Sequence, residues 1–182
     1  MVGRKAGSCL SNGGCAWVEL MQIGIGLGSN VGDRARELAL ARGWIRGLDA
    51  GAHFSSEYET APVDCPAGSP PFRNQVGEIH WSGSLEALLQ WMQEYERSRG
   101  RRSVRRKNEP RTLDLDILYA GRNWVQSPRL DLPHPRMGER RFVMEPLAEL
   151  CPGRRIAGLP GTVLETANWL RGRGGPLCRR IE

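Results

Sequence analysis

Asp114 and Asp116 flank Leu115 in the run Leu113-Asp114-Leu115-Asp116-Ile117-Leu118. In a strand, residues i and i+2 share one face and stand about 7 Å apart. Leu113, Leu115 and Ile117 then take the opposite face and belong to a core. Two carboxylates projecting together repel unless water solvates them or a cation bridges them. Hard oxygen ligands at this separation suit Mg²⁺, which takes one or two carboxylates and fills its shell with phosphate oxygens and water. An isolated D-x-D is more often the wet face of an edge strand. The residues just upstream reverse that balance. Segment Arg97–Arg111 holds seven arginines and Lys107 against the single acid Glu109, a local net of +7 in a chain whose total is +6. Carboxylates for a metal beside guanidiniums for phosphate are the parts of a site that moves phosphoryl groups from a nucleoside triphosphate.

Other chemistries are excluded or disfavoured. Gly24-Ile25-Gly26-Leu27-Gly28 suggests a dinucleotide fingerprint, but Ser29 breaks the G-x-G-x-x-G register. Lys5 and Lys107 are the only lysines and neither sits in a Walker A loop. The five cysteines are odd in number and lack C-x-x-C spacing, which disfavours a zinc ribbon, a thioredoxin motif or a complete disulfide framework. His53, His80 and His134 are too far apart to form a local metal pair.

The elements that must position the carboxylates follow from periodicity. Gln22–Leu27 alternates as a strand, and a helix runs from Asp33 toward Gly51 with Leu38, Leu40, Ala41, Trp44, Ile45 and Leu48 at approximate helical spacing. His53–Thr60 reads as a strand, 66–71 as a Pro/Gly-rich loop, and Asn74–Trp81 as another strand. Ser84 caps a second amphipathic helix carrying Leu85, Leu88, Leu89, Met92 and Tyr95. Thr112–Tyr119 is a strand, and short helices are expected over Phe142–Leu150 and Thr162–Leu170. This β-α-β, β-α-β order is the ferredoxin-like split βαβ plan of the α+β class, with helices on one face of an antiparallel sheet plus extra loops and C-terminal helices. The 182 residues, 40% hydrophobic and 25% charged, fit one globular domain over 21–170. Residues 1–20 are expected to be an unstructured extension and 171–182 a frayed basic tail. No run is long and apolar enough to span a membrane.

Arg111-Thr112-Leu113-Asp114-Leu115-Asp116-Ile117-Leu118 resembles the signature of the hydroxymethyldihydropterin pyrophosphokinases of folate biosynthesis. Three further stretches agree in order and spacing: Gly26-Leu27-Gly28-Ser29-Asn30, Tyr58-Glu59-Thr60-Ala61-Pro62, and Leu132-Pro133-His134 with Met137, Arg140, Phe142, Pro146-Leu147 and Glu149. The resemblance runs from about Ile23 to Pro152. It implies that Asp114 and Asp116 hold two Mg²⁺ ions and that Arg101, Arg111, His134 and Arg140 contact the triphosphate of ATP. Gln93 and Glu96 line the nucleotide side, and Leu89 and Ile117 flank adenine. Thr60, Ala61 and Val63 offer main-chain groups to the pterin, Asn74 pairs with its edge, and Phe72 and Phe142 sandwich its ring. Asp114, Asp116, Arg101 and Arg111 would be the catalytic set. The chain departs from the family pattern at Ser103, Asn108 and Glu109, where many members carry arginine, an aromatic and a small residue. Which of Arg102, Arg105, Arg106 and Lys107 reaches the nucleotide stays open.

The expected activity is transfer of the β,γ-diphosphate of ATP to the hydroxymethyl oxygen of 6-hydroxymethyl-7,8-dihydropterin with release of AMP. No side chain stands out as a general base, so a metal-lowered pKa of the substrate hydroxyl is the more economical route. A monomeric, cytoplasmic protein acting on small molecules, with no nucleic acid or membrane partner, is the expectation. The rival from another class is a ferredoxin-like RNA-binding module using the arginine loop. It lacks an RNP1-like run and would present Asp114 and Asp116 to phosphate. A Mg²⁺-dependent nuclease would share the metal pair but leaves the aromatic pair unused.

Overall fold

The computed structural model describes residues 5–7, 17–63, 65–100 and 110–181. β1 (Lys5–Gly7) and β2 (Trp17–Glu19) pair antiparallel as a small ladder separate from the main sheet. The expectation of an unstructured extension over 1–20 falls mostly on residues outside those described; of that stretch only these two paired segments and Leu20 are described. β3 (Met21–Ser29) leads into α1 (Arg34–Leu48), which Asp33 caps by accepting the Arg36 N–H at 3.0 Å.

The single strand expected over His53–Thr60 is broken into β4 (His53–Phe54) and β5 (Tyr58–Thr60). At the break Ser55 still donates its N–H to the Val76 carbonyl at 2.9 Å, and side-chain bonds supplement it. The Ser55 hydroxyl accepts the Val76 N–H at 3.1 Å, and the Gln75 amide donates to the Ser55 carbonyl at 2.6 Å. β6 (Phe72–Trp81) and α2 (Leu85–Ser98) follow, α2 capped by Ser84 through the Ala87 N–H at 3.1 Å. Then come β7 (Asp114–Ala120), the short pair β8 (Val125–Gln126) and β9 (Asp131–Leu132), and a 3₁₀ turn at Met137–Glu139. The chain continues through α3 (Arg141–Leu150), α4 (Val163–Gly172) with a Thr162–Glu165 capping box, and β10 (Cys178–Arg180).

The main sheet is antiparallel in the order β10-β5-β6-β3-β7, with β4 also on β6. Ile23, Ile25 and Leu27 of β3 and Leu115 and Ile117 of β7 face α1 and α2, burying Leu38, Ala41, Ile45, Leu88 and Met92 against them. The C-terminal helices α3 and α4 cover the opposite face, where Val143, Met144, Leu147, Val163 and Ala167 pack on Val76, Leu118 and Tyr119. The sheet therefore carries helices on both faces, the split βαβ pair on one and the additions on the other.

The tail is the clearest difference from expectation. Residues 178–180 do not fray; they pair with Tyr58–Thr60, because β5 would otherwise be an open sheet edge with unpaired main-chain groups. Among the described residues no helix is long and apolar enough to cross a membrane.

Candidate functional site

The three glycines of β3 set the floor of the site. Because side chains alternate, Gly24, Gly26 and Gly28 lie on the face opposite Ile23, Ile25 and Leu27. Each is overlain by a neighbour. A Cβ at Gly24 would sit 2.2 Å from the Tyr119 ring, and one at Gly28 would sit 2.9 Å from Asn74 Oδ1. The glycines are thus a bare strip of backbone, which explains the pattern that mimics a dinucleotide fingerprint. Tyr119 seals one end of the strip over Gly24, bonding with Glu78 and Arg154. The other end, at Gly26 and Gly28, stays open as a cavity of about 270 Å³.

Register places the carboxylates beside this floor. Asp114 is opposite Gly28 and Asp116 opposite Gly26, so both line the cavity while Leu115 and Ile117 turn into the core. A β-bulge follows at once: Gly24 pairs with Tyr119 and Ile25 with Ile117, leaving Leu118 as the inserted residue. Leu118 and Tyr119 consequently pack on the same side, with α3 and α4. The Leu118 carbonyl accepts the His134 N–H at 2.8 Å, which anchors His134 at the rim.

Arg111 stands just before β7, its Nη1 2.6 Å from Asp114 Oδ2. Burial works against its charge, but Asp114 and Asp116 outweigh burial and hold its pKa above the ordinary arginine value. Its main chain is clamped by Asn30, whose Oδ1 accepts the Arg111 N–H at 2.7 Å while the Asn30 N–H donates to the Arg111 carbonyl at 3.1 Å. On the far side of the arginine segment, Arg99 is gripped by both oxygens of Glu37 at 2.9 and 2.7 Å. The Thr112 hydroxyl donates to the Arg99 carbonyl at 2.6 Å, so the two ends of that segment are drawn together. Arg101 lies outside the described residues, as do residues 102–109.

His134 Nδ1 accepts the Arg136 N–H at 3.2 Å, and its Nε2 lies 3.5 Å from Arg140 Nη1. Burial, then Arg140 and Arg136, lowers the His134 pKa below the usual histidine value, so the ring is neutral at pH 7. Arg140 can only donate, so both ring nitrogens face a donor and a neutral ring, with one acceptor nitrogen, satisfies only one of the two. An anionic oxygen bound beside Arg140 would accept from the guanidinium and from a ring N–H.

The opposite wall is apolar and amide-bearing. Thr60, Ala61, Val63, Phe72, Asn74 and Phe142, all six candidates for pterin contact, line the same cavity. Asn74 is only 8% exposed and its Nδ2 donates to Thr60 Oγ1 at 2.7 Å, which fixes the amide. The Ala61 N–H is already given to the Leu177 carbonyl at 3.0 Å. Phe142 sits in the first turn of α3, its ring 5.4 Å from the Arg140 guanidinium carbon. Pro146, four residues on, has no N–H to offer the Phe142 carbonyl.

Four candidates lie outside this cavity. Ile117 is buried in the core on β7, and Leu89 packs at that core's margin on α2. Glu96 is 1% exposed and accepts the Leu115 N–H through Oε1 at 2.8 Å, tying α2 to β7. Gln93 precedes it by one turn, its carbonyl accepting from Arg97 Nε at 3.2 Å. Sequence reasoning missed Asn30, Arg136, Cys65 and Leu118. Only Asn30 and Arg136 had a local signal, the first closing a Gly-Ser-Asn stretch and the second two residues after His134. Among the described residues no group of three or more His, Cys, Asp or Glu could hold a metal. Asp114 and Asp116, two carboxylates lining one cavity, would supply part of the shell of a Mg²⁺ ion and leave the rest to phosphate and water.

The profile of the family described as 7,8-dihydro-6-hydroxymethylpterin-pyrophosphokinase matches residues 24–152. The 2-amino-4-hydroxy-6-hydroxymethyldihydropteridine pyrophosphokinase of Bacillus subtilis is 43% identical over 130 residues, covering 70% of this chain and 76% of its own. Its counterpart in Haemophilus influenzae is 39% identical over 129 residues, covering 69% and 79%. The chain spans only 17% of the folic acid synthesis protein fol1 of Pneumocystis carinii, at 38% identity. In fold it resembles the Plasmodium falciparum HPPK-DHPS crystallised with pterin and p-hydroxybenzoate, with a TM-score of 0.61 at 12% identity, over 85% of this chain and 44% of that one. On the matched length and these identities, the chain belongs to the 7,8-dihydro-6-hydroxymethylpterin-pyrophosphokinase family.

Proposed function

We propose that the protein transfers the β,γ-diphosphate of ATP to the hydroxymethyl oxygen of 6-hydroxymethyl-7,8-dihydropterin and releases AMP. The observation that carries this reading is one cavity lined by two chemically different sets of residues. Asp114, Asp116, Arg111, His134 and Arg140 bring charge and polarity, and Thr60, Phe72, Asn74 and Phe142 bring aromatic rings and an amide. A flat heterocycle between Phe72 and Phe142, with its edge on Asn74, directs its hydroxymethyl group toward the carboxylates.

Asp114 and Asp116 would hold two Mg²⁺ ions, which supply charge neutralisation on the phosphates and lower the pKa of the attacking hydroxyl. Arg111 is paired with Asp114 in the unliganded protein. On nucleotide binding it turns its guanidinium to the transferring group, where negative charge accumulates. His134 Nε2–H and Arg140 grip a phosphate oxygen and hold the diphosphate in line with the attacking oxygen. Leu89 and Gln93 on α2 and the outer main-chain edge of β7 at Ile117 would form the adenine side, with Glu96 buried beneath them through its bond to Leu115 and Arg101 contacting the triphosphate. The protein acts as a monomer in the cytoplasm on these two small molecules.

The deciding experiment is AMP release from ATP and Mg²⁺ with and without the dihydropterin. AMP formation that requires the dihydropterin, matched by a diphosphorylated pterin, is expected. Dihydropterin-independent hydrolysis, or no AMP at all, would overturn the reading.

A further inference from the structure

The stretch that carries Thr60, Ala61 and Val63 borders two cavities. One is the cavity just described. The other, of about 470 Å³, is lined by Trp169, Leu170, Pro176 and Leu177 and shares Thr60, Ala61, Val63, Arg140 and Phe142 with the first. Thr60 is 3% exposed, but Ala61 is only half-buried and Val63 is exposed, so close packing fixes the stretch less than it fixes most of the core. Much of its location must come from its edges.

Those edges are held by hydrogen bonds. On one side β5 pairs with β6, Thr60 opposite Phe72. On the other it pairs with the tail, Cys178 opposite Thr60 and Arg180 opposite Tyr58. The tail ladder extends past β10 at both ends: Ala61 N–H donates to the Leu177 carbonyl at 3.0 Å, and Ile181 N–H to the Glu57 carbonyl at 2.8 Å. Arg180 Nε lies 3.6 Å from Glu149, whose carboxylate also accepts the Tyr58 hydroxyl and the Ser56 N–H, each at 2.7 Å. The family profile ends at residue 152, so this support comes from chain beyond the matched region.

We infer that residues 176–181 act as a positioning strap for the pterin wall, with the Leu177 carbonyl fixing Ala61 and the β10 ladder fixing Thr60. The strap determines affinity for the pterin and leaves the nucleotide side, which rests on β7, Asn30 and His134, untouched. It also consumes the Ala61 N–H, so that residue presents only its carbonyl as a free main-chain group to a ligand. This inference rests on the proposed substrate.

Arg179 separates backbone from side-chain effects. Its guanidinium makes an exposed contact with Glu59 at 3.2 Å, while its main chain lies in the middle of the ladder. Arg179→Ala keeps the ladder, whereas Arg179→Pro removes a main-chain donor from it. A chain stopped after Gly175 removes the strap altogether. For Arg179→Ala, both Michaelis constants within twofold of wild type are expected. For Arg179→Pro and the shortened chain, the KM for dihydropterin should rise at least tenfold while that for ATP stays within threefold. A pterin KM within twofold in both strap variants, or an equal rise in both constants, would overturn the inference. Amide hydrogen exchange supplies a reading independent of substrate. The Ala61 amide should be protected in wild type and Arg179→Ala, and exchange at least tenfold faster in Arg179→Pro. An unprotected Ala61 amide in wild type sinks the strap even if the enzyme is active. A protected one in a wild type that makes no AMP faults the substrate reading alone.

Discussion

Asn30 and Arg111 exchange two hydrogen bonds, the Asn30 side-chain oxygen taking the Arg111 N–H at 2.7 Å and the Arg111 carbonyl taking the Asn30 N–H at 3.1 Å. The pair joins the end of β3 to the residue that precedes the carboxylate strand. Asn30→Ala leaves a half-buried N–H without its acceptor, at a cost of about 1–3 kcal/mol. Chemical denaturation should register that loss, and turnover should fall by about tenfold or more because Arg111 loses its fixed position. Turnover unchanged in a variant that is measurably destabilised would separate Asn30 from the reaction.

Asp116→Asn keeps size and polarity but removes one charge from the carboxylate pair. The fold should survive, since Asp116 lines a cavity and relief of like-charge repulsion offsets what is lost. Mg²⁺-dependent AMP formation should drop by at least about a hundredfold, the scale on which electrostatic stabilisation acts in such sites. Affinity for the dihydropterin, measured separately by calorimetry, should change much less. Activity within threefold of wild type in a folded variant would remove the metal assignment.

Gly28→Ala tests the bare floor. The new methyl meets Asn74 Oδ1 at 2.9 Å, and that amide cannot swing freely because its Nδ2 is bonded to Thr60. The expected outcome is a rise of about tenfold in pterin KM, in line with a lost or displaced hydrogen bond to a buried group. The ATP constant should barely move. Steady-state kinetics with each substrate varied in turn decides it.

His134 makes the unliganded protein pH-sensitive. Its folded pKa lies below the unfolded value of 6.5, burial being the largest cause. Its contribution is therefore fully present above pH 6.5 and declines as pH falls through 6.5 toward the lower folded value. Melting temperature recorded from pH 7.5 to 5.5 should fall, and His134→Gln should flatten part of that fall. Bound nucleotide places anionic oxygens at Nε2, which favours the protonated ring, so ATP should reduce the acid sensitivity. An identical pH profile for wild type and His134→Gln would argue against it.

Part of this site is legible from local residue types: Asp114 and Asp116 are separated by one apolar residue, and strand periodicity alone puts them on one face. Phe72, Asn74 and Phe142 come from the family resemblance rather than from spacing, and they line one cavity. What was hidden depends on register between distant segments. The Asn30–Arg111 exchange joins residues 81 positions apart. The bulge at Leu118 interrupts an alternation that reads unbroken in the sequence, since nothing in Ile117-Leu118-Tyr119 distinguishes an inserted residue from a paired one. The tail read as basic and glycine-rich, which describes its composition correctly. Composition could not reveal that β5 leaves an edge to be filled.

The strip of glycines in β3 also bears on how the cavity can change under selection by an inhibitor. A compound that draws its affinity from loop side chains, such as Val63 or Cys65, faces positions where many residues are sterically permitted. One that rests on Gly26 and Gly28 touches main chain, and escape there requires adding atoms. At position 28 those atoms collide with Asn74, and at position 26 they arrive 3.4 Å from Leu118, within the cavity proposed to take the substrate. Resistance through the floor would therefore exclude substrate and inhibitor together.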